Sequence, residues 1–415
     1  MTVPEKKVAP AVDAAGGTES AREAEILEGF RLSPQQRRAW QVQKEIVGRP
    51  LVCQAVVRLD GELRRDLLIR SLEDLVARHD VLRTVFPRPA GVTVPVQSIR
   101  DRWSPAPEVV DLRNLGPVEG RGRMADLFSE HRRAPLDLGT TPGLRVALAR
   151  LADDRHGLLV TVPALCADVR TLRNLVEQVA SIYDRRVRGV VETADAEVVQ
   201  YLQVSEWQLQ LLEEGQAKAS DLPPEAGEAS GRLPFERDGG AHDPEPAACP
   251  IVLPPEAEAA VRRKVLPTGA PDPTVLLCAW HVFLALLAGS PGSTIAVPFD
   301  GRKYSDLHDS FGRFERWLPV TVELAPDLPF EDAVGRTRSA VEEVASCQEY
   351  FAAPEGEVAR AGVRWTAWPA RVEGGGVTFR LDDLRVEDEP VRLTLAARWR
   401  DGHLELSLLH HPRFL

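Results

Sequence analysis

The stretch that most restricts the fold runs from Gly143 to Tyr183, GLRVALARLADDRHGLLVTVPALCADVRTLRNLVEQVASIY. Two apolar runs meet at Asp153-Asp154, a turn signal, and predict a β-hairpin. Beyond Pro163 the period changes: Leu172, Leu175, Val176, Val179, Ile182 and Tyr183 recur at helical spacing and form one stripe that packs against a sheet. Asp168 stands where that helix begins. Its carboxylate can accept from the free amides of the first turn and sits at the positive end of the helix. A buried strand that turns into such a helix often carries catalytic side chains, yet this turn offers Pro163, Ala164 and Cys166 with no base beside them.

Other segments repeat the mixture. Ser33-Pro34 supplies an N-cap and a first-turn proline, so a helix starts at Pro34. LVCQAVVRLDG reads as a strand, and ELRRDLLIRSLEDLVARHD as an amphipathic helix through Leu63, Leu67, Leu68, Leu72, Leu75 and Val76. LRTVFPR and GVTVPVQSI read as strands and RMADLFSEHRRAP as a helix. Later, DPTVLLCAWHVFLALLAG predicts a helix apolar enough to be wholly buried, and STIAVPFDGR a strand ending in a turn. FEDAVGRTRSAVEEVASCQEY reads as an amphipathic helix, and GVTFRLDD, VRLTLAARWR and LELSLLHH as strands. No short-period repeat is present. The fold class is therefore α/β (α+β).

At 415 residues the chain exceeds one compact core, and two domains of about 200 residues each are expected. Residues 1–24, rich in Ala, Gly, Glu and Lys without periodicity, read as a disordered arm. The N-terminal lobe is assigned to 25–195 and the C-terminal lobe to 196–415. A connection dense in Pro and Gly covers 218–273. A net charge of −11 argues against a nucleic-acid footprint, which needs a basic face. No run approaches the roughly 18 apolar residues of a membrane span, and the N-terminus lacks a signal peptide's apolar stretch. Cys53, Cys166, Cys249, Cys278 and Cys347 are odd in number, scattered and without a CxxC pair, which disfavours a disulfide framework or a zinc site and fits a reducing cytoplasm.

Five stretches, in order, resemble the condensation domain of nonribosomal peptide synthetases, in the superfamily that includes chloramphenicol acetyltransferase. LSPQQRRAW (32–40) is similar to that family's opening Ser-x-x-Gln-x-Arg-x-Trp motif, and RHDVLRTVF (78–86) to its second. APLDLGTTPGLRVALARL (134–151) is similar to the stretch before the central strand, and YLQVSEWQ (201–208) to Tyr-x-Asp-Tyr-x-x-Trp-Gln. DGRKYSDLHDSFGRFERWLPVTVEL (300–324) resembles the Gly-Arg…Gly-x-Phe-x-Asn-Thr-Leu-Pro motif. The resemblance spans about residues 27–415. It implies two lobes in a V, each a mixed sheet flanked by helices, with a tunnel between them and a final family helix missing after HHPRFL. It also implies partners: carrier proteins that present acyl or aminoacyl thioesters on 4′-phosphopantetheine, adjacent synthetase modules and a recruited tailoring enzyme. No bound cofactor, metal, nucleic acid or membrane is implied.

The family's core motif is His-His-x-x-x-Asp-Gly. Placing its Asp on Asp168 puts Pro163 and Ala164 at the two histidines and Val169 at the glycine. A positioned base contributes typically about 10²–10⁴-fold, which a methyl group cannot supply; holding amine and thioester in register contributes independently of it. Three functions follow: a degenerate condensation domain that docks carrier-bound substrates, an acyltransferase working by positioning alone, or a platform that recruits a partner enzyme without carriers. In this superfamily the motif Asp pairs with an arginine, which maps to Arg302, so an Asp168–Arg302 pair is expected. Tunnel-lining candidates are Cys166, Arg316 (where the family pattern has Asn) and Trp207. Cys166 is a nucleophile only with a partner base and otherwise a small buried hydrophobe. His79 reads as structural, and His410 and His411 as a weak metal signal.

Overall fold

The computed structural model describes residues 29–46, 48–190, 198–214, 232–237, 246–265, 273–325, 327–350, 358–367, 371–386, 391–400 and 403–415. The arm expected over 1–24 and part of the connection at 218–273 lie outside the described residues.

Helix α1 (Pro34–Glu45) starts at the expected proline because Ser33 and Gln36 close a reciprocal box: Gln36 N donates to Ser33 Oγ (3.1 Å) and Ser33 N to Gln36 Oε1 (3.0 Å). It is followed by β1 (Val52–Gly61), α2 (Arg65–Arg78), the short pair β2 (Thr84–Val85) and β3 (Ser98–Ile99), β4 (Glu108–Asp111), α3 (Pro117–Arg133), β5 (Arg145–Arg150), β6 (Arg155–Pro163) and α4 (Val169–Arg188). Next come α5 (Tyr201–Glu213), β7 (Ala247–Ile251), α6 (Pro255–Val265), α7 (Thr274–Ala288), β8 (Gly292–Phe299), β9 (Arg316–Glu323) and α8 (Phe330–Ser346). The chain closes with β10 (Ala361–Ala367), β11 (Val372–Gly374), β12 (Val377–Val386), β13 (Leu393–Arg400) and β14 (His403–His410).

Two six-stranded mixed sheets result. The first has the order β11-β12-β1-β6-β5-β4 and the second β7-β14-β13-β10-β8-β9. Among the described residues, parallel pairing is confined to β4 with β5 and to β10 with β13 and β8. Helix α4 buries its expected stripe, Leu172 to Tyr183, against the first sheet together with α2. On one face of the second sheet, α7 and α8 cover Ile295, Leu318 and Val320.

The sheets do not follow the sequential division at residue 195. Strands β11 and β12, deep in the C-terminal half, belong to the first sheet. Strand β12 pairs antiparallel with β1 from Cys53↔Val386 to Gly61↔Val377. Its alternate residues Val377, Phe379 and Leu381 enter the first core, where Phe379 meets Tyr183 edge-on at 5.8 Å. The connection at 218–273 likewise carries structure: β7 edges the second sheet and α6 packs on α7. The strand expected at GVTVPVQSI shrinks to two residues, since Pro95 lacks the amide a ladder needs. Helix α7, expected to be wholly buried, leaves Phe283 49% and Leu286 78% exposed, because apolar residues ring it while the sheet covers only one side.

Candidate functional site

Strand β6 ends at Pro163 and hands the chain to α4 through residues 164–168. Ala164 N donates to Leu51 O (2.9 Å) and Cys166 N to Pro163 O (2.8 Å), so this turn is held by the neighbouring strand and by itself. A Cβ on Gly143 would overlap Pro163 Cγ, so the proline ring already fills the space beside the strand end. Ala164 is fully buried. From α1, Gln36 reaches across and its Nε2 donates to Leu165 O (3.1 Å). At Pro163 and Ala164 no side chain can accept a proton.

Asp168 caps α4, with Oδ1 accepting from Thr171 N (2.8 Å). Arg302 meets it side-on: Nη1 to Oδ2 at 2.9 Å and Nη2 to Oδ1 at 3.0 Å, both side chains wholly buried. Phe314 N (2.9 Å) and Glu315 N (3.1 Å) also donate to Oδ2. The guanidinium donates further to Asp300 Oδ1 (2.7 Å), Thr171 Oγ1 (2.9 Å) and Ser310 O (3.2 Å), and lies 4.1 Å over the Phe314 ring. Burial pushes the Asp168 carboxyl up, but the charge and hydrogen bonds of Arg302 and the Thr171 contacts outweigh it and hold the carboxyl below its ordinary value. Every strong site on both groups is engaged, so the pair clamps α4 to the 300–315 segment and has no capacity left for a reacting atom. Gly312 belongs to the same clasp: Thr171 Oγ1 donates to its carbonyl (2.8 Å), and a Cβ there would overlap the Tyr201 ring.

Cys166, expected to line the tunnel, does not. It packs in the first core, and burial, with a smaller push from Cys53, raises its thiol far above the ordinary range, so no thiolate is available. His79 is stacked on Phe311 (3.7 Å, 5°) and bonded to Gln178 Oε1 (2.7 Å). Burial is the main cause of its drop to about 4, and it stays neutral in the interior at pH 7. His410 ends β14 and His411 follows it; among the described residues no three His, Cys, Asp or Glu side chains gather as a metal set. No described helix is long and apolar enough to cross a membrane.

The space between the lobes is a cavity of about 900 Å³. One wall comes from the outward side of α1 (Arg38, Gln41, Val42) and from β12, and the other from the second sheet. At the strand-to-helix junction its wall includes Val42, Leu51 and Val169, while Ala164, Cys166 and Asp168 do not line it. Trp207 and Arg316, the other lining candidates, stand elsewhere. They border a separate crevice of only about 10 Å³ with Gln35, Tyr201 and Phe314, which shares no wall residue with the cavity. Arg316 lies along it: Nη1 donates to Gln348 O, and with the Gln35 amide turned so that its oxygen faces the guanidinium, that oxygen accepts from Nη2 (2.7 Å) and Nε (3.2 Å). Burial lowers Arg316 to about 10, which still leaves it charged at neutral pH.

Sequence reasoning missed the second sheet's share of the cavity. Arg364 and Thr366 of β10, Thr394, Ala396 and Arg398 of β13, and Glu405 and Ser407 of β14 face it. The usable signal was the alternation in LTLAAR and LELSL, which sends Leu393, Leu395, Leu406 and Leu408 to the helices and Thr394, Arg398, Glu405 and Ser407 to the other side.

Two interlocked mixed sheets, with a cavity between them and a buried Asp–Arg clamp at one strand end, define a two-lobed chloramphenicol-acetyltransferase-like fold. The profile of the condensation domain matches residues 28–352, and the chain belongs to that family. Among curated relatives, it is 27% identical over 329 residues to phosphinothricin tripeptide synthetase PhsC of Streptomyces viridochromogenes, covering 77% of this chain and 30% of the relative. It is 30% identical over 347 residues to the isonitrile lipopeptide synthase of Mycobacterium tuberculosis, covering 80% of this chain and 14% of the relative. The chain thus spans less than a third of the length of either. Similar folds include the X-domain solved in complex with OxyB from teicoplanin biosynthesis (TM-score 0.72, 22% identity, 97% of this chain and 92% of that one). The condensation domain of the Monacolin K polyketide synthase MokA superposes with a TM-score of 0.75 at 19% identity, over 93% of each chain.

Proposed function

We propose that the chain is a condensation-type domain that receives one carrier-tethered acyl or aminoacyl group in the interlobe cavity and holds it without forming an amide. The observation that supports this reading is the cavity wall at the strand end: Val42, Leu51 and Val169 line it, and Ala164, at the position of the family's base, does not. Amide formation by this family's route needs a base at the strand end and two reactants brought into register. Ala164 offers no base, and Arg316 lies along the crevice on the far side of the first turn of α1. The domain then acts as a docking platform at which a partner enzyme meets the tethered chain. The synthetases among the relatives and the X-domain solved in complex with OxyB support that context.

Titration with butyryl-pantetheine tests the docking half. Saturable binding is expected, with Ala396→Trp, which puts an indole into the cavity from β13, weakening it at least tenfold. Absence of saturable binding, or an Ala396→Trp variant that binds normally, contradicts the reading.

A further inference from the structure

The crevice bordered by Trp207 and Arg316 holds polar groups that neither the buried clamp nor the interlobe cavity uses. Ser205 of α5 is 1% exposed and Glu349, three residues beyond α8, is 7% exposed; both line the crevice. Ser205 Oγ and Glu349 Oε1 have no hydrogen-bond partner among the described residues. The rest of Glu349 is engaged: Oε2 accepts from Lys303 Nζ (3.1 Å), and the backbone carbonyl from Gln208 Nε2 (3.3 Å). One carboxylate oxygen is thus left over, in an interior where polar atoms are normally paired. Arg316 is in a similar position. Gln35 and Gln348 take three of its five N–H groups, and it makes no ion pair with Glu349. Burial is the main influence on its pKa, and Tyr201 and Glu349 oppose it, so the carboxylate acts on the guanidinium without touching it.

We infer that this crevice is the site of one internal water, which bridges Ser205 Oγ, Glu349 Oε1 and the Arg316 guanidinium and so fastens the two lobes to each other. Size points to water first: the volume of about 10 Å³ is at the lower bound of the roughly 10–15 Å³ that a single water needs. Charge points the same way. A cation there would meet Arg316, and an anion would meet the spare oxygen of Glu349. Water satisfies both, since it donates to the carboxylate oxygen and accepts from an N–H, and the Ser205 hydroxyl supplies a further bond. Three partners is the usual number for a buried water. The rings of Trp207 and Tyr304, edge-on at 6.1 Å, border the same crevice. Tyr201 and Val204 set α5 in the first core, whereas Arg316 opens β9 of the second sheet. The bridge is therefore an interlobe tie separate from the Asp168–Arg302 clamp, and it stands independently of the docking reading above. It also accounts for a buried cation with no acid in contact: the countercharge acts through a shared water.

A crystal structure of the unmodified chain, at a resolution that shows ordered waters, tests the site. One water is expected within about 3.2 Å of both Ser205 Oγ and Glu349 Oε1. Empty density between them, a direct Arg316–Glu349 contact, or density that refines as an ion overturns the inference. Denaturant midpoints test the bridge in solution. Ser205→Ala and Glu349→Met are each expected to lower the midpoint. Both act through the same water, so the double variant should lose clearly less than the two losses added together. Losses that simply add overturn the bridging role. Should Glu349→Met fail to fold, the density in the unmodified chain decides alone.

Discussion

Arg302→Ala is expected to destabilise the protein by about 3–5 kcal/mol, the range for removing one partner of a buried ion pair. The size follows from what is left behind. Asp168 is wholly buried, and its remaining donors are three backbone amides. Arg302 also ties Asp300 and the Ser310 carbonyl to α4, so its loss loosens the segment that carries Phe311 and Phe314 into the first core. Against a total stability of about 5–15 kcal/mol for typical proteins, such a loss is a large share. Denaturant midpoints of the purified variant and parent give the value. The double variant Arg302→Met/Asp168→Leu should lose clearly less than Arg302→Ala alone, since it removes both charges in place of orphaning one. A midpoint for Arg302→Ala within error of the parent would mean the clamp is not what joins α4 to residues 300–315.

Ala164→His is expected to give a less stable protein and no new activity. Restoring an imidazole at this position is the obvious way to test for a dormant site, and the packing argues against success. Ala164 is fully buried among Leu51, Leu165 and their neighbours in the first core, and Pro163 already occupies the space up to Gly143. An imidazole must displace packed side chains, at about 1–3 kcal/mol for overpacking, and it brings ring nitrogens that need partners there. Ala164 also does not line the cavity, whose wall at this end includes Leu51 and Val169. The expected pair of results is a lowered unfolding midpoint and amide product no higher than in the parent. An Ala164→His variant of parental stability that forms amide would show a site merely lacking its base.

Much of this architecture was legible from sequence. The hairpin at 145–163, the α4 stripe and the capped start of α1 follow from local period and turn chemistry, which depend on neighbours in the chain. The passage of β12 into the first sheet was not legible. A strand's pattern records that one face is buried but not which sheet receives it, and Val377, Phe379 and Leu381 would suit either core. The same limit hid the cavity. Cys166 sits two residues past the motif's base position and reads as a lining residue until the turn at 164–166 folds it inward. Arg316 reads as a change inside a tunnel until its bonds to Gln35 and Gln348 place it in a separate crevice. Which side chains meet a cavity is settled by tertiary packing, and spacing along the chain carries little of it.

The most direct test of the account is amide formation by the unmodified protein. A carrier loaded with an acyl thioester and a second carrier bearing an aminoacyl group are mixed with and without the domain, and the condensed product is followed by intact-protein mass spectrometry. The account predicts product at the rate of the protein-free mixture, since no side chain at Pro163 or Ala164 can act as the base and neither residue lines the cavity. Turnover well above that background would contradict it.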